Sequence, residues 1–231
     1  MRPEVDFYFW PGATVLVYVL ARWLYSRRPC FWTSTLIMAP ALLLGLAVYL
    51  HAGYSDYMLG SHWLLMMLGP VLVAFALPLY EQRALILRYW PILAAGIVVG
   101  SVIAGASAWL LGALLGLPTG LRLSLLPRSV GTPFAMAVSS HVGGAPDLTA
   151  VFVIITGVLG ASIGQWLRAW LPLRSSLARG ALFGMGAQGA GTAKARELAD
   201  EEGAVAGLVM VMAGIVNVLV TPYVVYAVMS L

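Results

Sequence analysis

One octapeptide, Leu126-Pro127-Arg128-Ser129-Val130-Gly131-Thr132-Pro133, sets an arginine, two hydroxyls and a glycine between two prolines. A guanidinium can hold a carboxylate through two parallel hydrogen bonds. Ser129 and Thr132 can donate to the same oxygens, and a helix restarting at Pro133 would turn free amides and a positive dipole end toward an anion. The plainer reading makes Arg128 a structural or topology-setting arginine and the two hydroxyls helix caps. A second segment has the same character: Gly184-Met185-Gly186-Ala187-Gln188-Gly189-Ala190-Gly191-Thr192-Ala193-Lys194-Ala195-Arg196-Glu197. Here Gly189, Gly191 and Thr192 precede a strong helix former, so a loop could feed amides to the same anion. Gln188 can donate a hydrogen bond to it, and Lys194 can add charge or pair with Glu197 instead. Close helix packing through small residues explains the glycines equally well.

These cationic breaks lie in a chain of membrane-grade apolarity. Of the 231 residues, 61% are hydrophobic and 10% charged, against roughly 25% charged in soluble domains; mean hydropathy is +0.91. Uncharged runs cover 29–55, 57–80, 89–121, 148–167 and 203–231, and a spanning helix needs about 20 apolar residues. None shows the alternation of a membrane β-barrel strand. The composition therefore predicts an all-α polytopic membrane protein of about 6–8 hydrophobic segments, two of them broken or re-entrant. The whole of 1–231 is read as one integral membrane domain, with a peripheral first helix (1–31) and a core (32–231).

The positive charges, net +4, are scattered at helix ends; they read as topology signals and not as nucleic-acid contacts. A single cysteine, Cys30, excludes an internal disulfide, and His51, His62 and His141 lack ligand spacing, so neither a metal nor another cofactor is expected. No cleavable signal peptide is expected at the N-terminus.

Helices are predicted at about 7–24, 32–51, 62–80, 90–116, 147–170 and 203–229, with 119–143 and 176–200 interrupted. Gly69-Pro70 and Pro78 predict kinks in the third. With Arg22, Arg27 and Arg28 in the cytoplasm, Arg83 and Arg88 return there. Arg168, Arg174 and Arg179 do so only if 119–143 is re-entrant; two ordinary kinked helices are the alternative. Residues 76–107 and 131–162 share 8 identities over 32 positions, among them Pro78 with Pro133 and Pro91 with Pro146. That suggests repeat halves at about 62–118 and 119–173, and interrupted segments in matching places point to a transporter site. Pro70, Tyr80 and Asn217 are secondary candidates; Tyr80 also suits an interfacial belt, and Asn217 needs a partner within its apolar helix. Glu197, Asp200, Glu201 and Glu202 read as a solvated surface.

These residues carry a resemblance. Gly69-Pro70, Leu77-Pro78-Leu79-Tyr80, the octapeptide at 126–133, Gly143-Gly144, Leu148-Thr149-Ala150-Val151-Phe152-Val153, Thr156-Gly157 and Gly191-Thr192-Ala193-Lys194-Ala195 with Glu197 and Glu201-Glu202-Gly203-Ala204 are similar to the LrgB/CidB membrane family. The likeness runs from about residue 35 to the C-terminus, and more loosely over the first helix. Two departures stand out: Gly131-Thr132-Pro133 replaces the family's Thr-Thr-Pro, and Gln188 replaces a histidine. The second removes a group that could titrate near neutral pH.

The resemblance implies two competing functions. Bacterial members are named as holin- or antiholin-like proteins affecting murein hydrolase activity and lysis. Others are associated with pyruvate uptake, and a plant plastid relative with glycolate and glycerate transport. Matched, charge-bearing breaks favour transport. The expectation is therefore a secondary transporter of C2–C3 monocarboxylates (glycolate, glycerate, lactate, pyruvate) in the bacterial inner membrane, working by alternating access. Its anion would be held by Arg128, Ser129, Gly131, Thr132, Gln188, Gly189, Gly191, Thr192 and Lys194. A homodimer is expected through faces such as Gly96-x-x-x-Gly100 and Gly105, and the family implies a small LrgA/CidA-like membrane partner. The membrane segments hold no paired carboxylates, metal cluster or nucleophile–base set, so an enzyme is not expected.

Overall fold

The computed structural model describes residues 3–27, 34–74 and 76–229. Arg28, Cys30, the expected boundary at 31/32 and the expected start of the second helix lie outside the described residues. Helices follow in the order α1 (Pro3–Arg27), α2 (Thr35–Tyr49), α3 (Tyr54–Met66), α4 (Leu68–Ala74), α5 (Ala76–Glu81), α6 (Arg83–Leu114) and α7 (Thr119–Leu125). A 3-10 turn (Leu126–Ser129) leads to α8 (Thr132–Val142), α9 (Pro146–Trp170), α10 (Ser176–Gly186), α11 (Gln188–Leu198) and α12 (Asp200–Met229). No strand occurs among the described residues.

Prolines punctuate this order. Pro70 and Pro78 fall at the third positions of α4 and α5, and Pro133 and Pro146 in the first turns of α8 and α9. A first-turn amide has no intrahelical acceptor, so proline costs nothing there. The segment expected as one kinked helix over 62–80 therefore divides into the end of α3, α4 and α5. Pro91 instead stays inside α6, which kinks at Tyr89 (φ −117°, ψ 15°).

The chain forms two compact units, Met1–Val71 and Leu72–Leu231. In the first, the fully buried Trp10 of α1 meets Tyr57 of α3 edge to face, with ring centroids 5.4 Å apart. Thr14 Oγ1 lies 3.2 Å from the Tyr57 hydroxyl. In the second unit α12 is the hub, packed by α6, α8, α10 and α11. Its Val205, Leu208, Val209 and Ala213 close on Leu93 and Ile97 of α6, and Val211 closes on Val130, Phe134, Ala135 and Val153. Small residues set the spacing. A Cβ added at Gly180 would lie 2.6 Å from Val205 Cβ, and one at Gly184 would collide with the Ala206 carbonyl oxygen. Backbones that close gain dispersion contact where lipid offers no hydrophobic drive.

Three described helices are long and apolar enough to cross a membrane: α6, α9 and Asp200–Ala227 of α12. Ile37–Tyr49 is apolar but shorter.

Candidate functional site

Both cationic segments are interrupted in the structure. Pro127 enters the 3-10 turn, Val130 is extended (φ −116°, ψ 149°), and Gly131 precedes the first turn of α8. At the other break α10 ends at Gly186, Ala187 turns the chain (φ −138°, ψ 1°), and Gln188 starts α11 at φ +50°. A non-glycine residue in the left-handed region costs roughly 1–2 kcal/mol. Such strain persists only where the surroundings over-determine it. Around it, α9 comes close through small residues: a Cβ on Gly157 would sit 3.4 Å from the Ala187 carbonyl oxygen, and one on Gly160 would collide with that of Gly186.

The two breaks meet. Gln188 is 2% exposed, and its Nε2 donates to the Arg128 carbonyl oxygen across a long 3.4 Å. Its Oε1 is buried without a hydrogen-bond partner. Met210 of α12 joins the same junction. Thr192 Oγ1 lies 3.9 Å from its sulfur, and a Cβ on Gly131 would be 3.7 Å from its Cγ. The half-buried Arg128 side chain reaches toward α6, with Nη2 3.5 Å from Ser107 Oγ. Ser129 and Thr132 are half-buried beside it. The junction thus gathers Arg128, Ser129, Gly131, Thr132, Gln188 and Thr192 near the starts of two helices, where amides favour anions.

Other expected residues fall elsewhere. Gly189 is exposed, with open space where a Cβ would stand. Gly191 is buried in packing, since a Cβ there would collide with the Phe183 carbonyl oxygen. Lys194 pairs with Glu197 at 3.0 Å. Tyr80 is exposed, with the Arg83 guanidinium 4.4 Å over its ring. Pro70 lies exposed in α4 of the first unit. Asn217 finds the partner its helix requires: Nδ2 donates to Ser101 Oγ of α6 at 2.8 Å, and Oδ1 accepts from Thr221 at 3.2 Å. Beside it a mostly apolar cavity of about 360 Å³ is lined by Ser101, Gly105, Trp109, Leu126 and Thr221. In α6, Gly96 and Gly105 have open space at the Cβ position, whereas Gly100 packs on Met185.

One expectation is overturned. Glu202 is not solvated: it is 1% exposed and accepts from Arg168 Nε (3.1 Å) and Nη2 (3.0 Å) and from Arg179 Nε (2.6 Å). Its sequence neighbours Asp200 and Glu201 are exposed, because successive residues of a helix face different directions. A second feature escaped sequence reasoning. Ser124, Ser139 and Thr149, all fully buried, tie α7, α8 and α9 together: Thr149 Oγ1 lies 2.7 Å from Ser139 Oγ and 2.9 Å from the Ser124 carbonyl oxygen. The visible signal was hydroxyls flanking Gly143-Gly144; the fold closes the loop so tightly that a Cβ at Gly144 would lie 2.5 Å from Ser139 Oγ. Among the described residues no cluster of His, Cys, Asp and Glu could hold a metal.

An all-helical chain with apolar spans and a polar junction of two interrupted helices is a membrane protein. The chain matches the LrgB-like family over residues 14–227 and belongs to that family. It is 43% identical to the uncharacterized protein YwbG of Bacillus subtilis over 91% of this chain and 93% of that one. To the antiholin-like protein LrgB of Bacillus subtilis it is 29% identical, over 96% of each. An uncharacterized protein of Haemophilus influenzae is 32% identical over 94% of each. No solved structure matches the chain.

Proposed function

We propose that this LrgB-family protein carries small C2–C3 monocarboxylates across the bacterial inner membrane by alternating access. The observation behind this reading is the junction itself: Gln188 Nε2 on the Arg128 carbonyl oxygen joins the two interruptions near two helix starts, with the half-buried Arg128 side chain reaching from the same turn toward α6. Anionic substrates are held by such helix starts in transporters built from interrupted helices. In this reading the chain is multi-pass, and the 119–143 and 176–200 segments are re-entrant, which keeps Arg168, Arg174 and Arg179 on the cytoplasmic side. It acts as a homodimer without cofactor or catalysis, alone or with a small LrgA/CidA-like membrane partner.

A second reading, that the protein is an antiholin-like regulator of murein hydrolase activity and lysis, has its own support. Curated relatives of Bacillus are named antiholin-like LrgB. Those names speak for regulation of lysis more directly than for transport; the buried polar junction speaks for a solute. The deciding experiment is uptake of labelled glycolate and pyruvate into proteoliposomes, with wild type beside Arg128→Ala. Saturable uptake lost in the variant supports transport. Size-tolerant leakage, or lysis phenotypes indifferent to Arg128, supports the second reading.

A further inference from the structure

The cavity beside Asn217 is a cleft between α6 and α12, two helices long and apolar enough to cross a membrane. Val98 and Val102 of α6 and Val220 and Val224 of α12 line it and stand exposed, so it opens onto the face that meets lipid. Gly105 lines it with nothing where a Cβ would stand. The polar side chains in its wall are spent within the protein. Asn217 Nδ2 donates to Ser101 Oγ and to the Ala213 carbonyl oxygen, and Oδ1 accepts from the Thr221 hydroxyl. What remains for an occupant is apolar surface, which suits a hydrocarbon chain and penalises a carboxylate.

Length and width narrow the occupant. Val98 and Trp109 stand roughly 16 Å apart along α6 at about 1.5 Å per residue, close to one leaflet of a hydrocarbon core about 30 Å thick. The cleft volume of about 360 Å³ spread over that length leaves a channel about 5 Å across, against about 10–12 Å for a helix with its side chains. One acyl chain fits and a helix does not.

Charge identifies the headgroup. Trp109 lines the cleft within the last two turns of α6, and the Arg122 guanidinium stands 5.8 Å from its ring centroid. The Arg122 stem packs over Gly112, where an added Cβ would lie 3.1 Å from its Cγ, and its Nε donates to the Leu117 carbonyl oxygen at 2.7 Å. These contacts hold the guanidinium beside the Trp109 end of the cleft. A tryptophan and an arginine at a helix end belong at the headgroup layer, and a guanidinium grips a phosphate.

We propose that the α6–α12 cleft binds one anionic phospholipid, its acyl chain lying along Val98–Trp109 and its phosphate on Arg122. The proposal stands whether or not the junction at Gln188 handles a solute.

The test is native mass spectrometry of the full chain in mild detergent, titrated with dioleoyl phosphatidylglycerol or dioleoyl phosphatidylcholine. Wild type is expected to retain one phosphatidylglycerol per chain, about tenfold more tightly than phosphatidylcholine, whose own cation opposes the guanidinium. Arg122→Gln should bring that preference toward one. Gly105→Leu fills the cleft from a position with open space and should lose both lipids. Should Gly105→Leu fail to fold, the preference in wild type and Arg122→Gln decides. Equal binding of the two lipids by wild type, a preference unchanged in Arg122→Gln, or phosphatidylglycerol held by Gly105→Leu as by wild type overturns the proposal. The same spectra read oligomeric state: a dimer lost in Gly105→Leu with lipid binding unchanged gives the cleft to a second copy of this chain instead.

Discussion

Arg179 Nε and Glu202 Oε1 lie 2.6 Å apart, tying the start of α12 to α10, and Arg168 of α9 grips the same carboxylate from the other side. Removing one partner of a buried pair leaves the rest uncompensated, at roughly 3–5 kcal/mol. The arginines are 30% and 28% exposed, so water softens the loss. Glu202→Ala should destabilise by about 2–3 kcal/mol after that discount. Arg168→Ala should cost less, because Arg179 remains. Thermal melting of the detergent-solubilised chain measures both. A Glu202→Ala midpoint equal to wild type would mean that the ion pairs hold nothing together.

What sequence could and could not show follows from the range of the forces. Both interruptions were legible because their causes are local: Pro127 and Pro133 flank one, and a glycine-rich stretch surrounds Gln188 at the other. Glu202 was not legible, since its partners stand 34 and 23 residues away, and three consecutive acids at a helix start look like surface. Gly191 was read as a possible ligand because a glycine's sequence does not say which backbone approaches it; here that is Phe183 of α10. The hydroxyl cluster of Ser124, Ser139 and Thr149 depends on the same long-range closure.

Thr149 tests that cluster. Its one hydroxyl hydrogen lies among three acceptors, Ser139 Oγ, the Ser124 carbonyl and the Ala145 carbonyl, at 2.7, 2.9 and 3.1 Å. Thr149→Val keeps the shape and strands buried polar atoms, so a loss of about 1–3 kcal/mol is expected. Ser162→Ala is the control: the exposed Ser162 bonds only the Val158 carbonyl of its own helix, and its removal should fall within about 0.5 kcal/mol. Similar melting shifts for the two would show that the cluster is not a clamp.

Packing of α10 on α12 gives a sharper contrast. Gly184→Ala forces a methyl against the Ala206 carbonyl oxygen, and overpacking of this kind costs typically about 1–3 kcal/mol. Gly189→Ala meets open space and should be neutral or slightly stabilising, since alanine is the better helix former by about 1 kcal/mol. Melting curves of the two variants side by side should move in different directions. A stable Gly184→Ala protein would show that the two helices stand further apart.

Arg128 separates charge from geometry. Lysine at this position keeps the cation and loses the planar fork that grips a carboxylate by two bonds. It also loses the reach of Nη2 toward Ser107, now 3.5 Å. Arg128→Lys should therefore retain uptake with a KM raised about tenfold, the equivalent of one hydrogen bond to a charged group, while Arg128→Ala shows no saturable uptake. Neither change touches the backbone carbonyl that accepts from Gln188, so both variants should melt close to wild type. That separation makes the result readable: lost uptake with an intact fold places the anion at Arg128, whereas unchanged uptake in Arg128→Ala would return this arginine to a structural role. A lysis phenotype that survives Arg128→Ala in cells while uptake vanishes would show that regulation of lysis does not pass through the junction.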